Sequence, residues 1–337
     1  MKIINISIIS FLGVLFLYYG KFFLVPFFIS LFLYIILNSL SKSLTAFAKK
    51  IGFSLNDLFS SLMIFCVSLV TIYFLFKVLK SNLFQVNENA EIYQQNFNSI
   101  LLLFSDETIN QFFRLNNILD NLNLVKFFSS IFNLLTSFAG NFSLVLIYLI
   151  FFAIEDKFFR RKIEQVFVNK EKLKVISNIN NDIYNYFQIK AFTSFLTAFL
   201  TFFILYFLKN DLAISFAILA FFLNFIPYLG SLISILLPVI FIAIQTLDFF
   251  SPTFTLAILL FTHIFIGNFL ETKLMGKTLN VSPIIILIFL SIMGKLWGLS
   301  GMFLSVPILV VILIILSSFK QTKKIAILIS EKGNLNN

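Results

Sequence analysis

The sequence is poor in cysteine, histidine and charged residues, and each scarcity excludes a class of protein. With one cysteine, Cys66, the chain cannot form an internal disulfide framework or a cysteine metal site. His263 is the only histidine, and neither a His-Glu-x-x-His pattern nor a G-x-x-x-x-G-K-[ST] phosphate loop occurs. We therefore expect no enzyme, no catalytic residues, no cofactor and no metal. Only 12% of the 337 residues are charged, too few to cover a soluble protein.

Long apolar runs take the place of charge. Hydrophobic residues make up 59% of the chain, and the mean hydropathy is +0.99. Runs of about 18 or more apolar residues are typical of transmembrane helices. The apolar stretches lie at roughly 3–20, 22–40, 58–79, 141–155, 191–208, 212–226, 229–247, 253–270, 281–294 and 299–318. The sequence predicts an all-α, polytopic transmembrane helical bundle of about eight spans, because continuous runs disfavour a β-barrel.

Two pairs of these stretches have short members. In 212–226/229–247 and in 281–294/299–318, Gly or Pro lies between the two apolar runs. Each pair is either two crossings or one broken, re-entrant hairpin. A weak likeness links "GSLISILLPVIFIAI" to "GMFLSVPILVVILII", for which apolar low complexity is the simpler explanation and an internal repeat the other.

The distribution of Lys and Arg predicts the orientation. If the N-terminus is cytoplasmic, the loops on that side carry the positive excess of +10. Both termini are then cytoplasmic, whether the short pairs cross or re-enter. The basic residues are spread over membrane-flanking loops, which disfavours a nucleic-acid partner.

Five segments follow from this pattern. Residues 80–140 and the charged stretch 156–190 show helical apolar spacing that is typical of amphipathic helices outside the membrane. The predicted segments are N-terminal transmembrane helices (1–79), a small helical extramembrane insertion (80–140), a transmembrane helix with cytoplasmic amphipathic helices (141–190), a C-terminal transmembrane transport core (191–319) and a cytoplasmic tail (320–337).

Helix-breaking residues concentrate in the predicted transport core. Five of the six prolines and six of the eleven glycines lie in residues 227–307. A transporter needs such interruptions, because they expose backbone polar groups to a solute inside the membrane. Asn224 lies beside the first interruption, and Lys295 between two apolar runs is expected to extend towards the headgroups.

Polar residues also follow the apolar run 253–270. Asn268 precedes Glu271 by three residues, and in an α-helix such a pair could bind a cation, a proton or a hydroxylated solute. The alternative is an interfacial glutamate paired with Lys273 or Lys277. His263 is a candidate proton relay, or equally a packed helix residue.

Three stretches carry a family resemblance: "LNFIPYLGS" (223–231), "GNFLETKLMGKTLNVSP" (267–283) and "GKLWGLSGMFLSVP" (294–307). They resemble the autoinducer-2 exporter family of bacterial polytopic membrane transporters, closest to its autoinducer-2 transport branch. The resemblance implies about eight helices, a bacterial inner membrane location and transport without ATP. Residues that match family motifs at helix breaks, at the acidic turn and in the final kinked segment are Asn224, Pro227, Gly230, Glu271, Gly276, Gly298, Gly301 and Pro307.

The resemblance indicates a class of function more closely than a cargo. Where the family usually has proline after the glutamate, this chain has Thr272, so the turn is expected to be less rigid. The leading hypothesis is a secondary transporter that exports a small polar solute. The alternatives are a monovalent cation (sodium)/proton antiporter and a non-transporting membrane scaffold. The expected partners are the solute or cation, the lipid bilayer and, through small-residue faces, further copies of the chain.

Overall fold

The computed structural model describes residues 2–53, 56–103, 130, 142–166, 170–275, 281–319, 321–331 and 333. Within these ranges the regular structure is helical, which confirms the predicted all-α bundle. Gly276 and Lys277 lie outside the described residues. The part of the predicted insertion that follows Leu103 also lies outside them, apart from Ser130.

Twelve α-helices and one π-helical stretch make up the described chain. They are α1 (Lys2–Tyr19), α2 (Lys21–Lys50), α3 (Asp57–Glu88), α4 (Ala90–Leu103), α5 (Phe142–Val166), α6 (Lys170–Phe207), α7 (Ala213–Leu223), α8 (Leu229–Thr246), α9 (Phe250–Ile264), the π-helical stretch Phe265–Glu271, α10 (Thr272–Met275), α11 (Pro283–Ser318) and α12 (Lys323–Ile329).

By length and composition alone, five of the described segments could cross a membrane. They are Lys21–Lys50, Ile183–Phe207, Leu229–Thr246, Phe250–Met275 and Pro283–Ser317. Phe59–Thr71 and Ala213–Leu223 are apolar but shorter. A helix of 11 residues such as α7 is about 16 Å long, roughly half of the hydrocarbon thickness.

The chain divides into two compact units. Unit 1 comprises Met1–Val67, Asn141–Ala191 and Thr272–Asn337, and unit 2 comprises Ser68–Gly140 and Phe192–Glu271. Helices α3 and α6 each contribute to both units. The predicted transport core 191–319 is therefore shared between them.

Aromatic packing holds unit 1 together. The Phe27 ring lies 5.8 Å from that of Tyr148 and 5.4 Å from that of Phe152, which joins α2 to α5. The Trp297 indole N–H donates to the carbonyl of Leu17 at 2.9 Å. A buried indole needs such a partner, so this bond fixes α11 against the end of α1.

Helix α11 is broken at Gly298, and we call residues 283–318 the second broken segment. Gly298 has φ 63° and ψ −144°, a backbone conformation that glycine adopts readily. The chain turns back sharply there, because the Gly294 Cα approaches the Met302 side chain and Gly301 packs against the carbonyl of Met293. In a straight helix, Met293 and Gly301 would lie about 12 Å apart.

Unit 2 contains a matching interruption, and we call residues 213–246 the first broken segment. Helix α7 ends at Leu223, and Gly230 at the start of α8 packs directly against the Leu223 carbonyl. Phe216 near the start of α7 contacts Phe241 near the end of α8. The two helices are therefore antiparallel, and the chain leaves the segment at the end where it entered.

Candidate functional site

A carboxylate from the predicted acidic turn meets a hydroxyl of α6 inside unit 2. The Thr193 hydroxyl donates to Glu271 Oε2 at 3.2 Å, although the residues are 78 positions apart. Thr193 is fully buried and Glu271 is half-buried. The bond provides the carboxylate with one donor, which a charge partly removed from water requires.

Ser194, the residue after Thr193, contacts Asn224, the polar residue that the sequence places beside the first interruption. Asn224 donates its amide to the Ser194 hydroxyl at 3.0 Å. Its amide oxygen remains an acceptor, because the bond to Ser194 uses the nitrogen. Thr193, Ser194, Asn224 and Glu271 form what we call the polar cluster.

The polar cluster lies within an apolar segment. Thr193 and Ser194 are near the middle of the 25-residue stretch Ile183–Phe207. The bond from Asn224 therefore places the turn of the first broken segment beside this part of α6. The segment is thus a hairpin whose tip carries a polar group against an apolar helix.

Backbone strain marks the hairpin tip. Tyr228 has φ 61° and ψ −58°, an unusual conformation for a residue with a side chain. Pro227 precedes it, and its own carbonyl accepts from the Leu229 amide at 2.7 Å. Strained backbone is often retained where it positions a functional group. Pro227 and Gly230 thus shape the turn beside Asn224.

Glu271 is presented by an uncommon helix type. Residues Phe265–Glu271 are π-helical, between α9 and α10. Turns of π-helix are rare in proteins as a whole, and those that occur are often found at functional sites. They also change which residues share a face, and Asn268 is exposed while Glu271 is half-buried. The expected alignment of these two residues on one α-helical face therefore does not apply to this stretch.

His263 occupies a buried position next to the first broken segment. Its Nε2 lies 3.4 Å from the Ser234 hydroxyl, which in turn donates to the Ser231 carbonyl at 3.0 Å. The tautomer of the imidazole determines which of the two atoms donates. Pro238 lies four residues after Ser234 and has no amide hydrogen to donate to the Ser234 carbonyl. His263 remains a candidate relay.

The open end of the first broken segment is fastened by polar side chains. Gln245 donates to the Lys209 carbonyl at 2.7 Å and accepts from the Asp211 amide at 3.2 Å. Lys209 follows the end of α6 and Leu247 follows the end of α8, and their φ angles are 55° and 54°. The chain therefore leaves each of these helices through a residue in the left-handed conformation. These bonds hold the two ends of the segment together.

Helix α4 packs over this open end. The Tyr93 hydroxyl donates to Asp211 Oδ2 at 2.6 Å, and the Asn96 amide donates to the Ile244 carbonyl at 3.0 Å. The Tyr93 ring lies 5.1 Å from that of Phe241. Burial, and then the bond to Asp211, raise the pKa of Tyr93, so its hydroxyl stays a donor even in alkaline solution.

Replacement of Tyr93 by Phe is expected to destabilise unit 2 by about 2 kcal/mol, because a hydrogen bond to a charged group is lost. The wild-type contribution should decline above the ordinary pKa of tyrosine, where only the unfolded state would lose its proton. Thermal unfolding in detergent measures the effect. Tyr73→Phe is the matched control, since Tyr73 is 71% exposed, and equal shifts for the two variants would contradict the assignment.

The remaining predicted residues lie in unit 1. Gly298 is the break in α11, Gly301 packs against Met293 just beyond it, and Pro307 is inside the second arm. Among the described residues, no three His, Cys, Asp or Glu side chains come together as metal ligands. The chemistry available in the polar cluster is that of one carboxylate with neutral oxygen and amide groups.

Sequence reasoning missed the hydroxyl partners on α6. Thr193, Ser194, Thr197 and Thr201 are all buried. With 3.6 residues per turn they fall within about 100° of the helix circumference. That spacing is visible in "AFTSFLTAFLTFF" (191–203) and was the available signal.

Comparison with known proteins decides the family. The AI-2E family transporter model matches residues 4–321, nearly the whole chain. The chain belongs to this family. It is a multi-pass membrane protein of a transporter family, and the resemblance seen in the sequence is confirmed.

Named relatives agree with this placement. The AI-2 transport protein TqsA of Escherichia coli K12 is 28% identical over 203 residues, 59% of each chain. A Haemophilus influenzae protein named "Putative transport protein" is 29% identical over 328 residues, 91% of this chain and 90% of its own. A Borreliella burgdorferi protein of the same name is 29% identical over 222 residues, 64% of this chain and 60% of its own. The matches to the E. coli and Borreliella relatives thus span about three fifths of their lengths.

Proposed function

We propose that the protein is a secondary transporter that exports a small polar solute across the bacterial inner membrane, with both termini cytoplasmic. Autoinducer-2 is the first solute to test, because one relative is named for it. Membership of the AI-2E transporter family supports the class of function. The direction and the solute are part of the proposal.

One observation carries the proposal: the polar cluster lies at the tip of the first broken segment, within an apolar segment of α6. A carboxylate and an amide among apolar helices are costly in a purely structural helix bundle. They are useful where a solute must exchange its hydration shell for protein groups. Broken helices near the midplane are the usual place for such sites.

A flux experiment tests the proposal. Purified protein in proteoliposomes is expected to move autoinducer-2, and deletion of the gene is expected to lower the external autoinducer-2 pool of the cells. Empty liposomes and the Gly230→Ala variant are the controls. An unchanged pool together with no flux under sodium or proton gradients would remove the export function.

Monovalent cation/proton antiport is the second candidate, and the Thr193–Glu271 pair favours it. Carboxylate and hydroxyl oxygens are the groups that hard cations prefer. Sodium-dependent proton flux in everted vesicles separates the two functions, since an exporter of a neutral solute need not show it without that solute.

A further inference from the structure

The stripe of buried hydroxyls on α6 continues beyond the polar cluster. Thr197 donates to the Thr193 carbonyl at 2.9 Å, so its hydroxyl is satisfied within the helix. Thr201 lies one turn further towards the end of α6 at Phe207. From Thr193 to Thr201 the stripe covers about 12 Å, towards the end where α4 packs.

Thr201 differs from other threonines of unit 2. Its side chain is fully buried, yet its hydroxyl has no hydrogen-bond partner among the residues that the structure describes. Thr197, Thr255 and Thr262 each donate to the carbonyl four residues earlier. The same bond was open to Thr201 through the Thr197 carbonyl. An unsatisfied buried hydroxyl costs about 1–3 kcal/mol. This cost needs an explanation, and a ligand that bonds to the hydroxyl in another state of the protein provides one.

We propose that Thr201 is a second solute-binding position, on the route between the polar cluster and the α4 end of unit 2. It rests on the proposed function, since it assigns a residue to that transport path. The ligand is a hydroxyl-bearing solute, because a threonine hydroxyl both donates to and accepts from another hydroxyl. A solute leaving Glu271 and Asn224 would next exchange hydrogen bonds with Thr201.

Substitution separates binding from packing. Thr201→Val keeps the shape and removes the hydroxyl, and it is expected to raise the half-saturation concentration for autoinducer-2 flux about tenfold, the equivalent of one hydrogen bond. The thermal unfolding midpoint of the protein should hold or rise, because the unsatisfied group is gone. Thr201→Ser should behave like the wild type. Thr255→Val is the matched control, since Thr255 is equally buried but bonded to Ser251 at 2.7 Å.

Thiol labelling gives a readout that does not depend on the solute. Cys66 is the only cysteine, so Cys66→Ser provides a thiol-free background. In that background Thr201→Cys is expected to react with a small charged methanethiosulfonate reagent in proteoliposomes, and Thr255→Cys is expected to stay unreactive. Reaction at both positions equally, or at neither, would overturn the assignment of Thr201 to a polar route.

The two proposals fail in different ways. If the wild type carries autoinducer-2 but Thr201→Val has an unchanged half-saturation concentration, the Thr201 assignment is wrong and export stands. If the wild type carries none, the export proposal fails, and labelling of Thr201→Cys alone decides whether the hydroxyl stripe lines a route. A lowered unfolding midpoint in Thr201→Val with normal transport would show a purely structural threonine.

Discussion

Glu271→Gln is expected to reduce transport on the order of 100-fold, with the protein still folded. The substitution keeps size and hydrogen-bonding groups but removes the charge that Thr193 supports at 3.2 Å. A charge-assisted hydrogen bond contributes roughly 1.5–3 kcal/mol, and 1.4 kcal/mol corresponds to a factor of ten. Flux of autoinducer-2, and of protons against sodium, measured in vesicles of equal protein content, gives the comparison.

A double-mutant cycle with Thr193→Val tests whether the two residues act together. Residues in contact show coupling of roughly 0.5–3 kcal/mol, so the double variant should be less impaired than the product of the single effects. Asp248→Asn is the control, because Asp248 is an exposed acid of unit 2 that bonds Ser251 instead. Normal solute and proton flux in Glu271→Gln would remove Glu271 from the transport site.

Gly230→Ala is expected to destabilise unit 2 by about 3 kcal/mol and to abolish transport. A Cβ at this position would overlap the Leu223 carbonyl, which is backbone and cannot rotate away. Helices α7 and α8 would have to separate, and overpacking of this kind typically costs 1–3 kcal/mol. Thermal unfolding in detergent and the yield of folded protein measure the loss.

Gly267→Ala provides the matched control within the same unit. A Cβ at Gly267 would meet no atom within 4 Å, so stability should change by less than about 0.5 kcal/mol. If Gly230→Ala were as stable as Gly267→Ala, the close contact between α7 and α8 would not be needed for the fold of unit 2.

The sequence predicted the interruptions well because they are local. Pro227, Gly230 and Gly298 cannot sit in a continuous α-helix without cost, and the structure breaks the helices at these places. It could not predict whether 212–247 forms two crossings or a hairpin, because both have the same hydropathy. The structure shows the two arms packed antiparallel, with an α7 of only 11 residues.

The two stretches that begin at Gly230 and Gly301 occupy similar places in the two broken segments. Gly230 and Gly301 each begin the second arm of a broken segment, and each packs against a carbonyl of the last turns of the first arm. Pro238 and Pro307 each lie inside that second arm. The spacing from glycine to proline differs, at eight residues in the first stretch and six in the second, so an internal repeat and apolar low complexity both stay as explanations.

By itself the sequence determined the membrane class, the all-α fold, the family and the positions of the helix breaks. These follow from composition, apolar run length and the backbone limits of Gly and Pro, which act within a few residues. Only the tertiary structure decided which polar groups meet. Glu271 reaches Thr193 across 78 positions and through a π-helical stretch. No local pattern encodes such a meeting, because it depends on how separate helices pack.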